Sequence, residues 1–176
     1  MIHDTKYNFL VQQYKNRIYS YCIFMLKNRM DADDVTQEVL IRIWKNIGQF
    51  NILAAKTWIM KTTHNLCIDY LRKRNSDYSK NPFSVEDVSE FIENKAEQNP
   101  MLKVEGEITE LKIKESIKIL PESLKSVFVL YELQNMKYKE ISKTLDMPIN
   151  TVKVYLLRAR KQLQNKLTEI KLQEAI

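Results

Sequence analysis

The sequence predicts an all-α protein built from two small helical domains. It has only two glycines and four prolines, too few for the tight turns of a hairpin-rich sheet protein. Long stretches instead repeat apolar residues at helical spacing. Charge divides the chain into three segments, with a net charge of +6 in residues 1–75, −5 in residues 76–107 and +5 in residues 108–176. We predict that the acidic middle segment is a flexible linker with at most short helical pieces around Phe83 to Asn94.

The composition limits the classes of protein that remain. Lys and Arg outnumber Asp and Glu by 28 to 22, which is compatible with a polyanionic partner but not diagnostic of one. The two cysteines, Cys22 and Cys67, are too few for a disulfide framework and favour a reducing compartment. No apolar run reaches the ~18 residues of a membrane span, and the N-terminus lacks the apolar core of a signal peptide. These features predict a cytoplasmic protein.

The most specific pattern is at the C-terminal end, where residues 138–164 predict two helices joined by a tight turn. The first helix is expected to bury three residues of one face: Tyr138, Ile141 and Leu145. Asp146 tolerates a left-handed backbone, and Pro148 prevents the first helix from continuing. Asn150 is expected to cap the second helix. The pattern therefore predicts a helix-turn-helix.

The second of these helices has one apolar face and one mixed face. The mixed face combines cations, which suit phosphates, with exposed aliphatic groups, which suit thymine methyls. Its members are Lys153, Val154, Leu157, Arg160, Lys161 and Gln164, with Arg158 at the edge. The solvated face of an ordinary helical hairpin would have a similar pattern, so this face alone does not identify the function.

An N-terminal helix is predicted over residues 31–46, where acidic residues near its start suit the helix dipole. Its apolar face is predicted to be buried and consists of Val35, Val39, Leu40, Ile43, Trp44 and Ile47. The opposite face is polar and consists of Asp34, Gln37, Glu38, Arg42 and Lys45. Ile41 lies in the middle of that polar face, as is typical of a protein interface, although single exposed aliphatic residues are also normal.

The next helix is predicted over residues 56–74. One stripe of it carries an aromatic ring, hydroxyl and amide groups, and a basic cluster: Trp58, Thr62, Asn65, Asp69 and Arg72, flanked by Lys61 and Lys73. The buried side is predicted to hold Ile59, Leu66, Cys67, Tyr70 and Leu71. Aromatic rings stack on unpaired bases and cations hold the backbone, so the stripe suits opened DNA. A half-buried tryptophan beside a polar surface would give the same pattern.

These strings resemble bacterial RNA polymerase sigma factors. Residues 120–142 and 150–163 resemble the region-four domain, with its Leu-Pro opening and its "TVKxxLxRARKxL" helix. Residues 31–46 and 56–74 resemble the region-two domain. No third helical domain lies between them, which points to the extracytoplasmic-function (ECF) subfamily. Two positions depart from the family pattern: Asp146 replaces a usual glycine, and Val154 replaces a small polar residue and so bears on base preference.

The resemblance implies three contact surfaces in a DNA-binding subunit that is not itself an enzyme. The residues implied in core-polymerase binding are Asp34, Gln37, Glu38 and Ile41. Those implied at the melted minus-ten element are Gln49, Asn51, Trp58, Thr62, Asn65, Asp69, Arg72 and Lys73. Those implied at the minus-thirty-five element are Asn150, Thr151, Lys153, Val154, Leu157, Arg158, Arg160 and Lys161. The implied partners are the clamp helices of the largest core RNA polymerase subunit, the flap of the second-largest subunit, promoter DNA and an anti-sigma factor.

Two other functions would require features that the sequence does not indicate. A helix-turn-helix transcription regulator that is not a polymerase subunit would need an N-terminal ligand pocket or phosphorylatable domain, which residues 1–75 do not suggest. A helical nuclease or transposase component would need clustered acidic metal ligands, for which only the group at Asp31 to Asp34 is a candidate. His64 and Cys67 have H-x-x-C spacing, but a structural zinc site needs a second pair. We therefore expect no metal and no cofactor, and we expect His64 to be a polar surface residue.

Overall fold

The computed structural model describes residues 2–49, 51–80 and 104–174, and all regular structure in these ranges is helical. The helices are α1 (Ile2–Leu26), α2 (Arg29–Lys45), α3 (Ile52–Lys80), α4 (Val104–Lys118), α5 (Glu122–Phe128), α6 (Tyr138–Leu145) and α7 (Ile149–Glu174), with a π-helical turn at Val129–Leu133 after α5. The all-α prediction is confirmed. Most of the predicted linker, including Phe83 to Asn94, lies outside the described residues. In the described part of the chain, no helix is long and apolar enough to cross a membrane.

Helices α1, α2 and α3 pack around an N-terminal core. Ile18 of α1, Val39 of α2 and Ile59 of α3 are all fully buried in it. Lys27 ends α1 with a positive φ of 58°. Asn28 then caps α2, since its side-chain oxygen accepts a hydrogen bond from the Asp31 N–H at 3.0 Å. An Asn at this position satisfies one of the backbone donors that every helix start leaves unpaired.

Two cysteines meet inside this core. The sulfur atoms of Cys22 on α1 and Cys67 on α3 lie 3.7 Å apart, and both residues are buried as free thiols. The hydrogen bond with Cys22, together with burial, raises the pKa of the Cys67 thiol well above its ordinary value. Since the thiolate is the reactive form, the pair packs as two small apolar groups.

The C-terminal half places α6 and α7 as the predicted helix-turn-helix. Asp146 adopts the left-handed conformation at the end of α6, with φ 51° and ψ 46°, as the sequence predicts. The Asn150 cap prediction is wrong. Helix α7 begins at Ile149 because the Pro148 carbonyl already accepts a helical hydrogen bond from the Val152 N–H at 3.1 Å. Asn150 therefore lies in the first turn.

The π-helical turn at Val129–Leu133 was not predicted. The Gln134 N–H donates to the Val129 carbonyl at 3.0 Å, an i to i−5 bond, and Asn135 then takes a positive φ of 51°. Single π-helical turns of this kind are frequent at functional sites. Here the turn determines the direction in which Tyr131 and Glu132 project.

The two halves are in contact with each other. Helix α1 packs against α4 and α5, and α3 packs against α6. Gln134 is buried, and its side-chain N–H donates to the Arg17 carbonyl at 3.3 Å. Lys56 of α3 pairs with Glu140 of α6 at 3.5 Å. The sequence predicted two domains, but it did not indicate that they would pack on each other.

His64 is half-buried, so its prediction as a polar surface residue holds only in part. Its Nδ1 lies in hydrogen-bond contact with the buried Tyr21 hydroxyl at 2.8 Å. Burial lowers the pKa of His64 from 6.5 to about 4, with a smaller opposing effect from Asp146. A helical stripe marks His64 as polar, but it does not reveal that Tyr21 of α1 lies opposite.

The lowered pKa of His64 predicts a loss of stability in acid. The folded chain binds this proton more weakly than the unfolded chain, so the His64 contribution to stability is complete above about pH 6.5 and is lost as the pH falls toward 4. A depression from 6.5 to about 4 corresponds to roughly 2–3 kcal/mol. Urea unfolding of the wild type should show this loss between pH 6.5 and 4, and His64→Gln should lack it. His3→Gln is the matched control, because His3 is exposed. Equal pH dependence in wild type and His64→Gln would contradict the assignment.

Candidate nucleic-acid interface

The first candidate surface lies on α2, and we call Asp34, Gln37, Glu38 and Ile41 the α2 surface. Asp34, Gln37 and Ile41 are exposed and Glu38 is half-buried. The Glu38 carboxylate accepts a hydrogen bond from Arg42 Nε at 2.8 Å. Helical spacing brings all four side chains to one face of α2, as expected.

Trp44 enlarges the apolar part of this region. Sequence reasoning placed Trp44 in the buried face, but it is 46% exposed, as is Ile41. Its ring packs edge-on against Tyr7 of α1 with centroids 5.1 Å apart. Trp44 lies one helical turn from Ile41, so the two form a continuous exposed apolar strip beside the acidic residues. Exposed aromatic residues are enriched at protein interfaces.

The second candidate surface, which we call the α3 stripe, runs along α3. Asn65, Asp69, Arg72 and Lys73 are exposed, and Trp58 and Thr62 are half-buried. Trp58 also packs against the core. It is therefore both a half-buried tryptophan beside a polar surface and a member of the stripe whose ring remains partly exposed. The buried side of α3 contains Ile59, Leu66 and Cys67 as predicted, whereas Tyr70 and Leu71 are only half-buried.

The turn before α3 places Gln49 and Asn51 at the start of the stripe, and both are exposed. The Asn51 side-chain oxygen accepts a hydrogen bond from the Leu53 N–H at 3.0 Å, which ties this asparagine to the helix start. Leu53 itself is 92% exposed and ends the loop, Gly48 to Leu53, that the resemblance implies at the melted minus-ten element. An aliphatic side chain left in water beside the stripe is available to a partner, but the sequence gives no periodic signal for it.

Two basic residues near the stripe have structural partners. Arg74, which follows Lys73 in the sequence, donates to the Leu26 carbonyl at 3.2 Å and pairs with Asp31 at 3.4 Å. It therefore ties α3 to the junction of α1 and α2. Lys61 pairs with Asp146 of the helix-turn-helix at 2.8 Å. The cations of the stripe that project into water are Arg72 and Lys73.

The third candidate surface lies on α7, and we call Lys153, Val154, Leu157, Arg158, Arg160 and Lys161 the α7 surface. All six are exposed, and Leu157 reaches 68% exposure. The opposite side of α7 is buried through Val152, Leu156, Ala159 and Leu163. Of the two remaining predicted residues, Asn150 is exposed and Thr151 is half-buried. The face that the sequence assigns to DNA is thus the face that the fold leaves in water.

A stack of rings and cations borders the α7 surface, and we call it the aromatic ladder. The rings of Tyr131 and Tyr138 are stacked, with centroids 5.0 Å apart and planes 11° from parallel. Lys153 lies over the Tyr138 ring at 5.7 Å, and Arg160 lies over the Tyr131 ring at 5.4 Å. Arg160 also donates from Nε to Glu132 at 2.9 Å. The sequence predicts Tyr138 only as a core residue, and its helical patterns give no signal for Tyr131 or Glu132.

Comparison with known protein families identifies two matching regions. Residues 10–76 match the Sigma-70 region 2 family, and residues 110–163 match the Sigma-70, region 4 family. The first match contains α2 and the whole α3 stripe. The second contains the helix-turn-helix and the aromatic ladder.

Curated proteins match along almost the whole chain. The ECF RNA polymerase sigma factor SigW of Bacillus subtilis is 30% identical over 168 residues, covering 92% of this chain and 88% of that one. The ECF RNA polymerase sigma-E factor of Haemophilus influenzae is 30% identical over 168 residues, covering 92% of this chain and 87% of the other.

Solved structures share the helical fold at lower sequence identity. The sigma factor RpoE from Bartonella quintana, solved in complex with the anti-sigma factor NepR, aligns with a TM-score of 0.70 at 20% identity and covers 90% of this chain and 94% of that one. CnrH, solved in complex with the cytosolic domain of CnrY, aligns with a TM-score of 0.63 at 16% identity and covers 93% of this chain and 88% of that one.

Proposed function

The chain belongs to the ECF RNA polymerase sigma factors, and on that premise we propose which of its surfaces contact the polymerase and the promoter. As a sigma factor, it binds core RNA polymerase and directs transcription initiation by recognising the minus-thirty-five and minus-ten elements and assisting promoter melting. The family confirms the resemblance noted in the sequence, and a helix-turn-helix regulator outside the polymerase is not favoured. We further propose that the chain works in the cytoplasm and has no catalytic activity of its own.

The observation that carries the surface assignment is that each matched region exposes one face suited to DNA. The α3 stripe lies in region two, and its exposed amide, carboxylate and cations can contact an opened strand. The α7 surface lies in region four, and its mixed cations and aliphatic groups can contact phosphates and base edges in a major groove. We assign the minus-ten element to the α3 stripe with Gln49 and Asn51, and the minus-thirty-five element to the α7 surface with Asn150 and Thr151.

We assign the α2 surface to core polymerase, on the clamp helices of the largest subunit, and region four to the flap of the second-largest subunit. The support for the α2 surface is its composition, since exposed Ile41 and Trp44 lie beside acidic residues. An apolar centre with a charged rim is what a protein partner recognises.

Asp34→Lys and Ile41→Lys should each weaken binding to core polymerase at least tenfold. Both residues are exposed, so the free energy of unfolding should change by no more than about 0.5 kcal/mol. The measurement is titration of labelled chain with core enzyme. The matched control is Asp33→Lys, which makes the same charge change on the same helix about 100° away from Asp34. Equal affinities for Asp33→Lys and Asp34→Lys would place the polymerase surface elsewhere.

Asn65→Ala should impair promoter opening but leave core binding and closed-complex formation intact. Asn65 is exposed, so its side chain is available to a base, and loss of a base contact costs roughly 1–3 kcal/mol. Permanganate reactivity of promoter thymines measures the opened strand. Asn75→Ala is the matched control, because Asn75 is exposed on the same helix outside the stripe.

Trp58→Phe tests the aromatic contact in the same assay. Trp58 packs partly against the core, so truncation to alanine would mix folding with DNA contact, whereas phenylalanine keeps most of the packing. A pre-melted promoter should rescue Trp58→Phe more than Asn65→Ala, since Trp58 is assigned to melting and Asn65 to base recognition. Wild-type permanganate reactivity in both variants would exclude the α3 stripe from the opened strand.

The two DNA surfaces must separate before both can be used. The elements lie about 25 base pairs apart, which is about 85 Å of duplex. In this structure, however, α3 and α6 touch, with Lys61 and Asp146 at 2.8 Å. We therefore propose that the packed arrangement is a closed form that has to open on promoter binding.

Holding the halves together should block initiation. In Lys61→Cys/Asp146→Cys, a short bis-maleimide with a cleavable disulfide would join α3 to the helix-turn-helix, while the buried Cys22 and Cys67 should stay unlabelled. The cross-linked chain should fail to direct transcription from its promoter, and reduction should restore activity. Each single-cysteine variant treated alike is the control. Normal transcript yield from the cross-linked chain would show that the closed form needs no opening.

We also propose an anti-sigma factor as a partner. The support is that RpoE, which shares the fold, was solved in complex with the anti-sigma factor NepR. CnrH, which also shares the fold, was solved in complex with the cytosolic domain of CnrY. A regulator that holds the halves together would suit the closed form.

A further inference from the structure

We propose that Glu132, which lies outside the recognition helix, is a positioning residue that orients Arg160 for contact with the minus-thirty-five element. This inference rests on the proposed function of the α7 surface. Arg160 belongs to α7, whereas Glu132 and Tyr131 belong to the π-helical turn. The turn and the recognition helix are thus joined by a contact on the edge of the DNA face.

The contact fixes one side of the guanidinium and leaves the other side to DNA. Arg160 Nε and Nη2 both donate to Glu132 Oε1, at 2.9 and 2.5 Å. These two bonds occupy the edge of the planar guanidinium group that is formed by Nε and Nη2. The Nη1 edge remains available to a phosphate or to a guanine edge, the two groups that arginine contacts most often on DNA.

The aromatic ladder supports the guanidinium from below. The Tyr131 ring lies 5.4 Å from the guanidinium carbon, and Tyr131 is itself stacked on Tyr138 at 5.0 Å. Lys153, over the far ring at 5.7 Å, closes the ladder at its other end. A cation held against a ring face and bonded to a carboxylate has few rotamers left.

Folding stability does not account for this arrangement. The side chains of Arg160 and Glu132 are 48% and 34% exposed, and ion pairs at such exposure contribute little to stability. The ion pair contributes more to the affinity for DNA than to folding stability, because an arginine that is already ordered loses less conformational freedom when it binds DNA. Ordering one long side chain in advance corresponds to about a 2- to 10-fold gain in affinity.

The opposite role for Glu132 would change the affinity for DNA and its salt dependence in a different way. If Glu132 instead withheld Arg160 from the phosphates, removing Glu132 would add a phosphate contact. Affinity would then rise, and the slope of log K against log salt would steepen by about 0.9. Positioning predicts weaker binding with an unchanged slope, since the number of neutralised phosphates stays the same.

The test is a double-mutant cycle on the holoenzyme, assembled from full-length chain and core polymerase. Wild type, Glu132→Gln, Arg160→Ala and the double variant are titrated with a fluorescent promoter fragment at several salt concentrations. We expect Glu132→Gln to weaken binding about 2- to 10-fold with the wild-type slope, and to have no further effect in the Arg160→Ala background. Arg160→Lys, which keeps the charge but not the forked contact, should match Glu132→Gln.

The control for ion-pair loss is Glu110→Gln, which removes an exposed pair with Lys114 on α4; it should bind like wild type. Thermal melting of each variant checks the fold. The positioning role is overturned if Glu132→Gln weakens binding equally in the wild-type and Arg160→Ala backgrounds. It is also overturned if Glu132→Gln tightens binding and steepens the salt slope.

If Arg160→Ala binds normally, the assignment of Arg160 to DNA fails and the inference fails with it. If Arg160→Ala is weakened but Glu132→Gln is not, only the inference fails.

Discussion

The structure depends on how the surface of α3 is divided. One side of α3 completes the N-terminal core through Ile59 and Cys67, and another side carries the α3 stripe. In the same N-terminal half of the helix, Lys56 pairs with Glu140 of α6 and Lys61 pairs with Asp146 at the end of α6. These contacts share the circumference of one helix, so each of them occupies a narrow sector of its surface. The α3 stripe and the α6 contact are neighbours for this reason, and any change in the contact between the halves affects the DNA face beside it.

The contact between the halves has features that favour separation. Gln134 is buried with its side-chain oxygen lacking a hydrogen-bond partner, and an unsatisfied buried acceptor costs free energy. Lys125 is also buried, and burial with the nearby Lys27 charge lowers its pKa to about 8. When the contact opens, both groups become hydrated. Their hydration offsets part of the free energy that is lost when apolar surface is exposed to water. The partly exposed ion pairs across the contact add little.

The helices, their buried faces and the helix-turn-helix were predictable because apolar periodicity and turn residues are local signals. The left-handed Asp146 followed from the same kind of argument, although α7 begins at Ile149, two residues earlier than an Asn150 cap requires. The burial of Trp44 and His64 was misjudged because their environment is set by residues distant in sequence, Tyr7 and Tyr21. The π-helical turn had no sequence signal that we can identify, and the residues of the aromatic ladder were missed with it.

The two DNA surfaces are held in different ways, and the difference matches the state of the DNA that each is assigned. On the α3 stripe, Asn65 and Asp69 project into water from a single helix, so they can adjust to an opened strand whose bases have no fixed orientation. On the α7 surface, Lys153 and Arg160 are held by a ladder from neighbouring elements. A duplex presents its base edges at fixed positions, so a side chain ordered beforehand gains affinity there, whereas the same rigidity would hinder contact with a flexible single strand.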